Sequence, residues 1–376
     1  MNHPPGFKLG ILGGGQLARM LALASYPLGI LPYIFAKNQT EPATQVSPYL
    51  FLGDVNDHNS LKNFLKNCDV VTFESEFLDA KLLDTLSKEL NVRIYPSPSL
   101  MGQLQDRLTQ KQILFKYKIP TAPYLEINTW ADFQKIKNLS SQIVMKQRRF
   151  GYDGYGTFFI QASSDKSVWD EIQAKSPYGF IAESKIHFKR ELALILARDQ
   201  QGQVIDFPLV ESKQTHARCD WVIGPVKHKK ETQLRNKLKL FLKKIDYIGV
   251  IAFELFDTGK ELLVNEIAPR VHNSGHYSLD ALTLSQFQAH VMAVAGFKLP
   301  KPKLLSPFAM TNLLGLTSTG PYWNADWFNK NQNSHLHWYG KIENRKDRKM
   351  GHINTLDSKP QNALKKSLLA RRKVSL

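Results

Sequence analysis

The sequence predicts a mixed chain, α/β at its N-terminus and α+β beyond. Three observations carry this: strand and helix patterns alternate through the first hundred residues, a proline-bearing break follows, and the later units are short and then hairpin-like. "KLGILGGGQLARMLALASYPLGILPYIFAK" reads as strand, glycine turn, helix and strand, the opening of a parallel βαβ unit. "LKNFLKNCDVVTFESEF" adds a helix and a strand from Asp69 to Phe73, and "DAKLLDTLSKEL" supplies another helix before "VRIYP". The prolines of "YPSPSL" mark a linker, after which "LMGQLQDRLTQKQILFKYKIP" reads as one amphipathic helix ended by Pro120. Small units between Pro123 and Ser184 indicate a compact insert. "RELALILARDQQGQVIDFPLVES" is hairpin-like, with turn residues from Asp199 to Gly202, and a helix and two strands around "DTGK" follow.

Composition narrows the class. With 376 residues, 43% hydrophobic and 22% charged, the chain has enough apolar material for two or three packed cores. No apolar run is long enough to cross a bilayer, and "MNHPPGFKLG" lacks the regions of a signal peptide, so a cytoplasmic protein is expected. Cys68 and Cys219 form neither a disulfide framework nor a metal-ligand spacing, which suits a reducing compartment. The net charge of +17 attracts polyanions, but the lysines are scattered. Only the tail "LKKSLLARRKVSL" is dense, and it reads as a basic arm or a solvated terminal helix.

Several stretches carry chemistry. In "GILGGGQLARM", Gly13, Gly15 and Ala18 fit a dinucleotide fingerprint, whose glycines let a pyrophosphate approach a helix N-terminus. The acidic ribose partner is missing, because "PYIFAKN" ends in Lys37; an NADP reading could use that lysine. Glu254 in "VIAFELF" and Glu266 in "LLVNEIAPR" are equidistant from Lys260. A hairpin pivoting there makes them cross-strand neighbours able to share a hard cation such as Mg²⁺. The alternative has one carboxylate in solvent and the other paired with Arg270. "VMKQRRFGYDGYGT" sets Lys146 at a strand end before a loop with Gly151, Gly154 and Gly156, suited to covering a triphosphate or simply flexible. "APRVHNSGHYSLDA" clusters Arg270, His272, Asn273, Ser274 and His276, donors fit for an anionic substrate or for a loop network. "YGKIENRKDRKMG" gathers Lys341, Arg345, Arg348 and Lys349, and Glu74 and Glu76 close a parallel strand where open sheets place ligands or cap helices.

Taken in order, "GILGGGQLARML", "FESEF", "QDRLTQK", "KQRRFGYDGYGT", "VNEIAPRVHNSGHYSLDA" and "HWYGKIENRKDRKMGHIN" closely resemble 5-(carboxyamino)imidazole ribonucleotide synthetase, an ATP-grasp carboxylase of purine biosynthesis. The resemblance implies an ATP-grasp fold with an N-terminal Rossmann-like domain over 1–100 and a linker helix over 101–122. A lid over 123–184, a catalytic core over 185–310, and a small β-rich C-terminal subdomain with its basic tail over 311–376 complete it. It implies a ligase using ATP and Mg²⁺, without NAD or biotin, in which bicarbonate becomes carboxyphosphate and the exocyclic amine of 5-aminoimidazole ribonucleotide is carboxylated. It also implies a homodimer, with no nucleic-acid or membrane partner.

By matching position, the resemblance assigns ATP to Arg107, Lys146, the loop Gly151, Tyr152, Asp153, Gly154, Tyr155, Gly156 and Thr157, and the adenine strand Glu183, Ser184, Lys185 and Ile186. Glu191 would take the ribose, with Asn265 and Glu266 beside the nucleotide and Glu254 and Glu266 as metal ligands. The ribonucleotide falls to Gln16, Leu17, Glu76, Asn273, Lys341, Arg348 and Lys349, and carboxyl transfer to Tyr152, Asp153, Arg270, His272 and Lys341. Where many relatives carry histidine, this chain has Gln214, with His216 nearby. Formate-dependent glycinamide ribonucleotide transformylase is the nearest rival, since it shares the fold; a basic nucleic-acid-binding protein is the rival outside enzymes.

Overall fold

The computed structural model describes residues 6–151, 154–316, 322–323 and 326–375. The first sheet is wholly parallel: β1 (Lys8–Leu12), β2 (Leu31–Ala36), β3 (Tyr49–Leu52), β4 (Val70–Phe73) and β5 (Arg93–Ile94), in the order β3-β2-β1-β4-β5. Leu9, Ile11, Val71 and Phe73 are fully buried, as expected of strands covered on both faces. Strand order reverses beside β1, which opens a crevice beyond the ends of β1 and β4, where the helix Gln16–Ser25 begins.

The second sheet is antiparallel, β6 (Tyr124–Ile127), β7 (Gln142–Gln147), β8 (Thr157–Gln161) and β9 (Phe180–Ser184) in the order β6-β9-β7-β8. Phe133, Trp169 and Ile172 from its helices close a separate small core with Met145 and Phe180. The third sheet holds β10 (Arg190–Arg198), β11 (Val204–Asp206), β12 (Val210–Thr215), β13 (Arg218–Gly224), β14 (Gly249–Asp257), β15 (Leu262–Ala268) and β16 (Phe308–Leu314). After β17 (Tyr322–Trp323) come β18 (Ser334–Trp338) and β19 (Lys349–Leu356) of the same sheet, ordered β15-β14-β10-β12-β13-β16-β19-β18 with β11 on β10. β17 pairs with β20 (Val374–Ser375).

Two features, the helix before Pro120 and the basic tail, depart from the sequence reading. The expected single helix before Pro120 is two, Pro98–Leu104 and Arg107–Lys116. Asp106 breaks it, because its carboxylate accepts the Leu108 N–H at 2.9 Å and so caps a new helix. Pro98 therefore starts a helix at its first turn, where a missing N–H costs nothing, rather than sitting in a linker. The β-rich C-terminal part is joined to the core sheet: β16 pairs with β13, so β19 and β18 extend the third sheet. The basic tail, finally, is packed. Its helix Pro360–Arg371 buries Ala363, Ser367 and Ala370, Ser367 Oγ meets Thr311 Oγ at 2.8 Å, and Trp327 Nε1 donates to the Ala370 carbonyl at 3.0 Å.

No helix among the described residues is long and apolar enough to cross a membrane. The parallel sheet is joined to the core through His290: its Nδ1 accepts the Val250 N–H at 3.0 Å, which leaves Nε2 to donate to Thr72 Oγ at 2.7 Å on β4. Burial holds His290 at about 3, and burial, with neighbouring cations, holds His276 and His352 well below the ordinary histidine value. As pH falls below about 6.5 the unfolded chain gains protons that the folded one refuses, so this stability is complete above that value and lost on acidification. Each such histidine is expected to remove up to about 1.4 kcal/mol per pH unit. Urea unfolding at steps between about pH 7 and pH 5 reads this directly, and a flat profile would contradict it.

Candidate functional site

The hairpin β14–β15 sets the site. From its turn inward Asp257 faces Leu262, Phe256 faces Leu263 and Leu255 faces Val264; then the register shifts and Glu254 faces Glu266. Asn265 is the extra residue, a bulge that turns two consecutive side chains toward the face Glu254 occupies. Without it Glu254 would oppose Asn265, and Glu266 would belong to the other face. The expected carboxylate pair is therefore present, although a simple pivot at Lys260 is not what produces it.

Each member has a cationic or polar neighbour. Glu266 receives Arg107 Nη2 at 3.0 and 3.1 Å on its two oxygens. Asn265 Oδ1 accepts from Lys146 Nζ at 2.8 Å. Glu254 lies 3.4 Å from His272 Nε2. Burial pushes Glu254 up, but the contact with the His272 ring together with the Lys146 and Lys349 charges holds the carboxyl below its ordinary value. Glu191 faces Phe256 on the neighbouring strand, on the same face as Glu254, and burial together with the Glu254 charge raises it to about 7. Among the described residues, no group of three or more histidine, cysteine or acidic side chains is disposed to hold a metal ion.

Arg107 opens its helix and is buried, donating also to the carbonyls of Gln147 at 3.0 Å and Gly151 at 3.2 Å. It thus ties the end of β7 and the start of the glycine loop to Glu266. Tyr152 and Asp153 lie outside the described residues. Gly154, at φ +83°, packs on the tip of the β12–β13 hairpin: a Cβ there would stand 2.5 Å from that of Ala217. Tyr155, Gly156 and Thr157 lead into β8, which begins at Thr157. Gln214 lies on that same hairpin, and its backbone N–H helps offset the upward shift of Glu191.

Glu183 differs from expectation in what it offers. β9 is flanked by β6 and β7, so its backbone is engaged on both edges, and the side chain is buried between Lys146 at 2.7 Å and Lys111 at 2.8 Å. Burial raises this carboxyl, but the two ammonium groups prevail and hold it at about 2. Ser184 ends the strand, with Lys185 and Ile186 beyond it; the N–H groups of Ser184 and Lys185 are spent on Pro123 and Gln142. Lys111 was not among the expected residues. Its signal is in "QDRLTQK", where it follows Arg107 by four positions on one helix face.

The second cluster borders the crevice of the parallel sheet. Glu74, directly after β4, accepts the N–H groups of Gly15 at 2.6 Å and Ala18 at 3.0 Å. A carboxylate of the chain thus occupies the helix N-terminus that resembled a phosphate loop, so these donors are not free for a phosphate. Gly13, at φ +115°, has no room for a side chain, because a Cβ would meet Glu74 Cγ at 2.5 Å. Gln16 and Leu17 begin the helix just beyond.

Glu76 pairs with Arg270 through Nε and through Nη2, the latter at 3.1 Å, so the reading that paired Arg270 with a strand glutamate is replaced. Burial raises Glu76, and the guanidinium more than reverses this. His272 is set by Gln286, whose amide accepts the His272 N–H at 2.9 Å and donates to its carbonyl at 2.7 Å. Asn273 exchanges amide hydrogen bonds with Asn312 at 3.0 and 2.8 Å. Lys341 stands over the Tyr339 ring; burial, and repulsion by Arg348 and Lys349, lower it to about 8 despite Glu74. Arg348 donates to the Glu343 carbonyl at 2.9 Å, and Lys349 begins β19.

Three family models match in series: the ribonucleotide synthetase pre-ATP-grasp domain over residues 7–105, the ATP-grasp domain over 112–287, and the phosphoribosylaminoimidazole carboxylase C-terminal domain over 309–366. The N5-carboxyaminoimidazole ribonucleotide synthase of Synechococcus elongatus is 37% identical over 354 residues, 92% of this chain and 88% of that protein. The N5-carboxyaminoimidazole synthetase of Staphylococcus aureus, solved with ADP, aligns with a TM-score of 0.87 at 30% identity, covering 98% of this chain and 99% of the other. The synthase of Aspergillus clavatus, solved with ADP and 5-aminoimidazole ribonucleotide, gives 0.84 at 28% identity over 98% and 99%. This chain, with its ATP-grasp fold, belongs to the N5-carboxyaminoimidazole ribonucleotide synthase family.

Proposed function

We propose that this protein is the ligase that uses ATP and bicarbonate to carboxylate the exocyclic amine of 5-aminoimidazole ribonucleotide, giving the N5-carboxyamino product, ADP and phosphate in purine biosynthesis. The observation that carries the residue assignments is the bulged hairpin that sets Glu254 opposite Glu266, with Arg107 on Glu266, Lys146 on Asn265 between them and His272 beside Glu254. Two carboxylates with no third protein ligand fit Mg²⁺, which takes its other positions from phosphate oxygens and water. When bound, the ion neutralises charge on the phosphates. Arg107 and Lys146 supply fixed positive charge along the triphosphate, and the loop from Gly151 to Thr157 covers it and excludes water. Phosphoryl transfer to bicarbonate needs this positioning and no covalent nucleophile.

At the other end, Glu76 locks the Arg270 guanidinium in one orientation, and His272 is held by Gln286, so both present donors to the transferring carboxyl group. Lys341, Arg348 and Lys349 face the sugar phosphate together with the Gln16–Leu17 turn. Gln214 approaches the nucleotide from the β12–β13 hairpin. A homodimer would use the parallel-sheet unit, where Leu23, Tyr26 and Leu52 are exposed. The unpaired, buried Cys68 and Cys219 suit a cytoplasmic protein.

ADP release in the presence of bicarbonate is expected to rise when 5-aminoimidazole ribonucleotide is added, and Glu266→Gln is expected to lower turnover by at least about 100-fold. Release that instead requires formate and glycinamide ribonucleotide would refute the substrate assignment. A second expectation concerns pH. Lys341 is charged below about 8 and neutral above. kcat/KM for the ribonucleotide should therefore decline above that value, and Lys341→Arg should move the decline upward. An unchanged profile in that variant would remove Lys341 from the phosphate contact.

A further inference from the structure

Lys111 sits one helical turn after Arg107 and is only 2% exposed. Its ammonium meets Glu183 Oε1 at 2.8 Å, donates to Thr121 Oγ at 2.6 Å and reaches the Asn265 carbonyl at 3.3 Å. Lys146 holds the other oxygen of the same carboxylate at 2.7 Å and the Asn265 amide oxygen at 2.8 Å. Two cations thus share one anion, and the trio carries one surplus positive charge. An apolar side chain would fill the Lys111 position without the desolvation that a buried ammonium suffers. What the lysine adds is charge.

We propose that Lys111, which touches no substrate, is a positioning residue for the nucleotide. By taking a share of Glu183, it prevents Lys146 and Glu183 from closing into a neutral pair and leaves Lys146 able to turn to a triphosphate. Through the Asn265 carbonyl it also anchors the bulge beside Glu266. The inference rests on Lys146 and Glu266 being nucleotide contacts.

Removing the ammonium tests it. Lys111→Met is expected to weaken ADP binding, measured by calorimetry, and to raise KM for ATP by about tenfold, with KM for 5-aminoimidazole ribonucleotide unchanged. Adding Glu183→Gln to that variant frees Lys146 again, so the double variant should recover nucleotide affinity to within about threefold of the parent. A purely structural role predicts the reverse, two defects that accumulate; a double variant no better than Lys111→Met overturns the proposal, as does an unaltered affinity in Lys111→Met. Should Lys111→Met fail to fold, Glu183→Gln and the double variant read the same charge. With the Glu183 charge gone, Lys111 has nothing left to take from Lys146, so affinity should agree within about threefold between the two, and a fall of about tenfold or more from the former to the latter overturns the proposal. Calorimetric ADP binding requires no turnover, so this outcome is separate from any failure of the substrate assignment.

Discussion

A single inserted residue in one antiparallel hairpin governs where charge accumulates in this molecule. Side chains alternate across a strand, so a regular β14–β15 pairing would leave Glu254 and Glu266 on opposite faces. Asn265 absorbs the mismatch, and the two carboxylates meet across the ladder. Two like charges in that arrangement repel unless cations compensate. Separate elements supply positive charge, Arg107 from the helix that Asp106 caps and Lys146 from the end of β7, and the His272 ring comes within 3.4 Å of Glu254 from the segment after β15. The bulge therefore recruits three parts of the fold to one place.

The same logic runs through the buried ion pairs. Arg270 with Glu76, and Lys111 and Lys146 with Glu183, are each largely withdrawn from water, where a lone charge is destabilising and a pair contributes little net stability. Their value is geometric, since a side chain held by a charge-assisted contact keeps one orientation. Glu74 shows the complementary case. Its carboxylate fills the anion site at a helix N-terminus, so the crevice of the parallel sheet must draw positive charge from elsewhere. Lys341, Arg348 and Lys349, from the C-terminal part of the chain, lie on that side of the molecule, and Gln45 Nε2 donates to the Gly340 carbonyl at 2.5 Å across the junction.

How much was legible in the sequence depended on range. The parallel opening unit follows from local periodicity and glycine spacing, and it is present. The carboxylate pair was readable because both residues sit in apolar strands around one turn, but the bulge was not, since nothing local marks Asn265 as the residue without a partner. The break at Asp106 is hard to read because "LMGQLQDRLTQK" keeps helical propensity through the cap, while the carboxylate that caps the new helix is also held by Arg148, 2.7 Å away and 42 positions further along. The charge of the tail reads as a basic arm or a solvated helix, while the contacts that pack it, such as Ser367 with Thr311, lie 56 positions apart. The role of Glu74 was likewise set by a partner 59 positions away. Partners distant in sequence leave no periodic trace.

One consequence of the fold bears directly on a reaction that passes through a short-lived activated carboxylate. Glu266 and Arg270, proposed above to serve the nucleotide and the transferring carboxyl group, lie four positions apart on one continuous segment, so even a fully extended chain sets their backbones no more than about 14 Å apart. His272 spans the gap from the other direction, with its ring 3.4 Å from Glu254 and its backbone fixed by Gln286. Under that assignment an intermediate formed near Glu266 would have little distance to travel and polar side chains along its way. Placing both ends on one short, clamped segment removes the independent motion that two separate loops would have, and with it the opportunity for water to intervene.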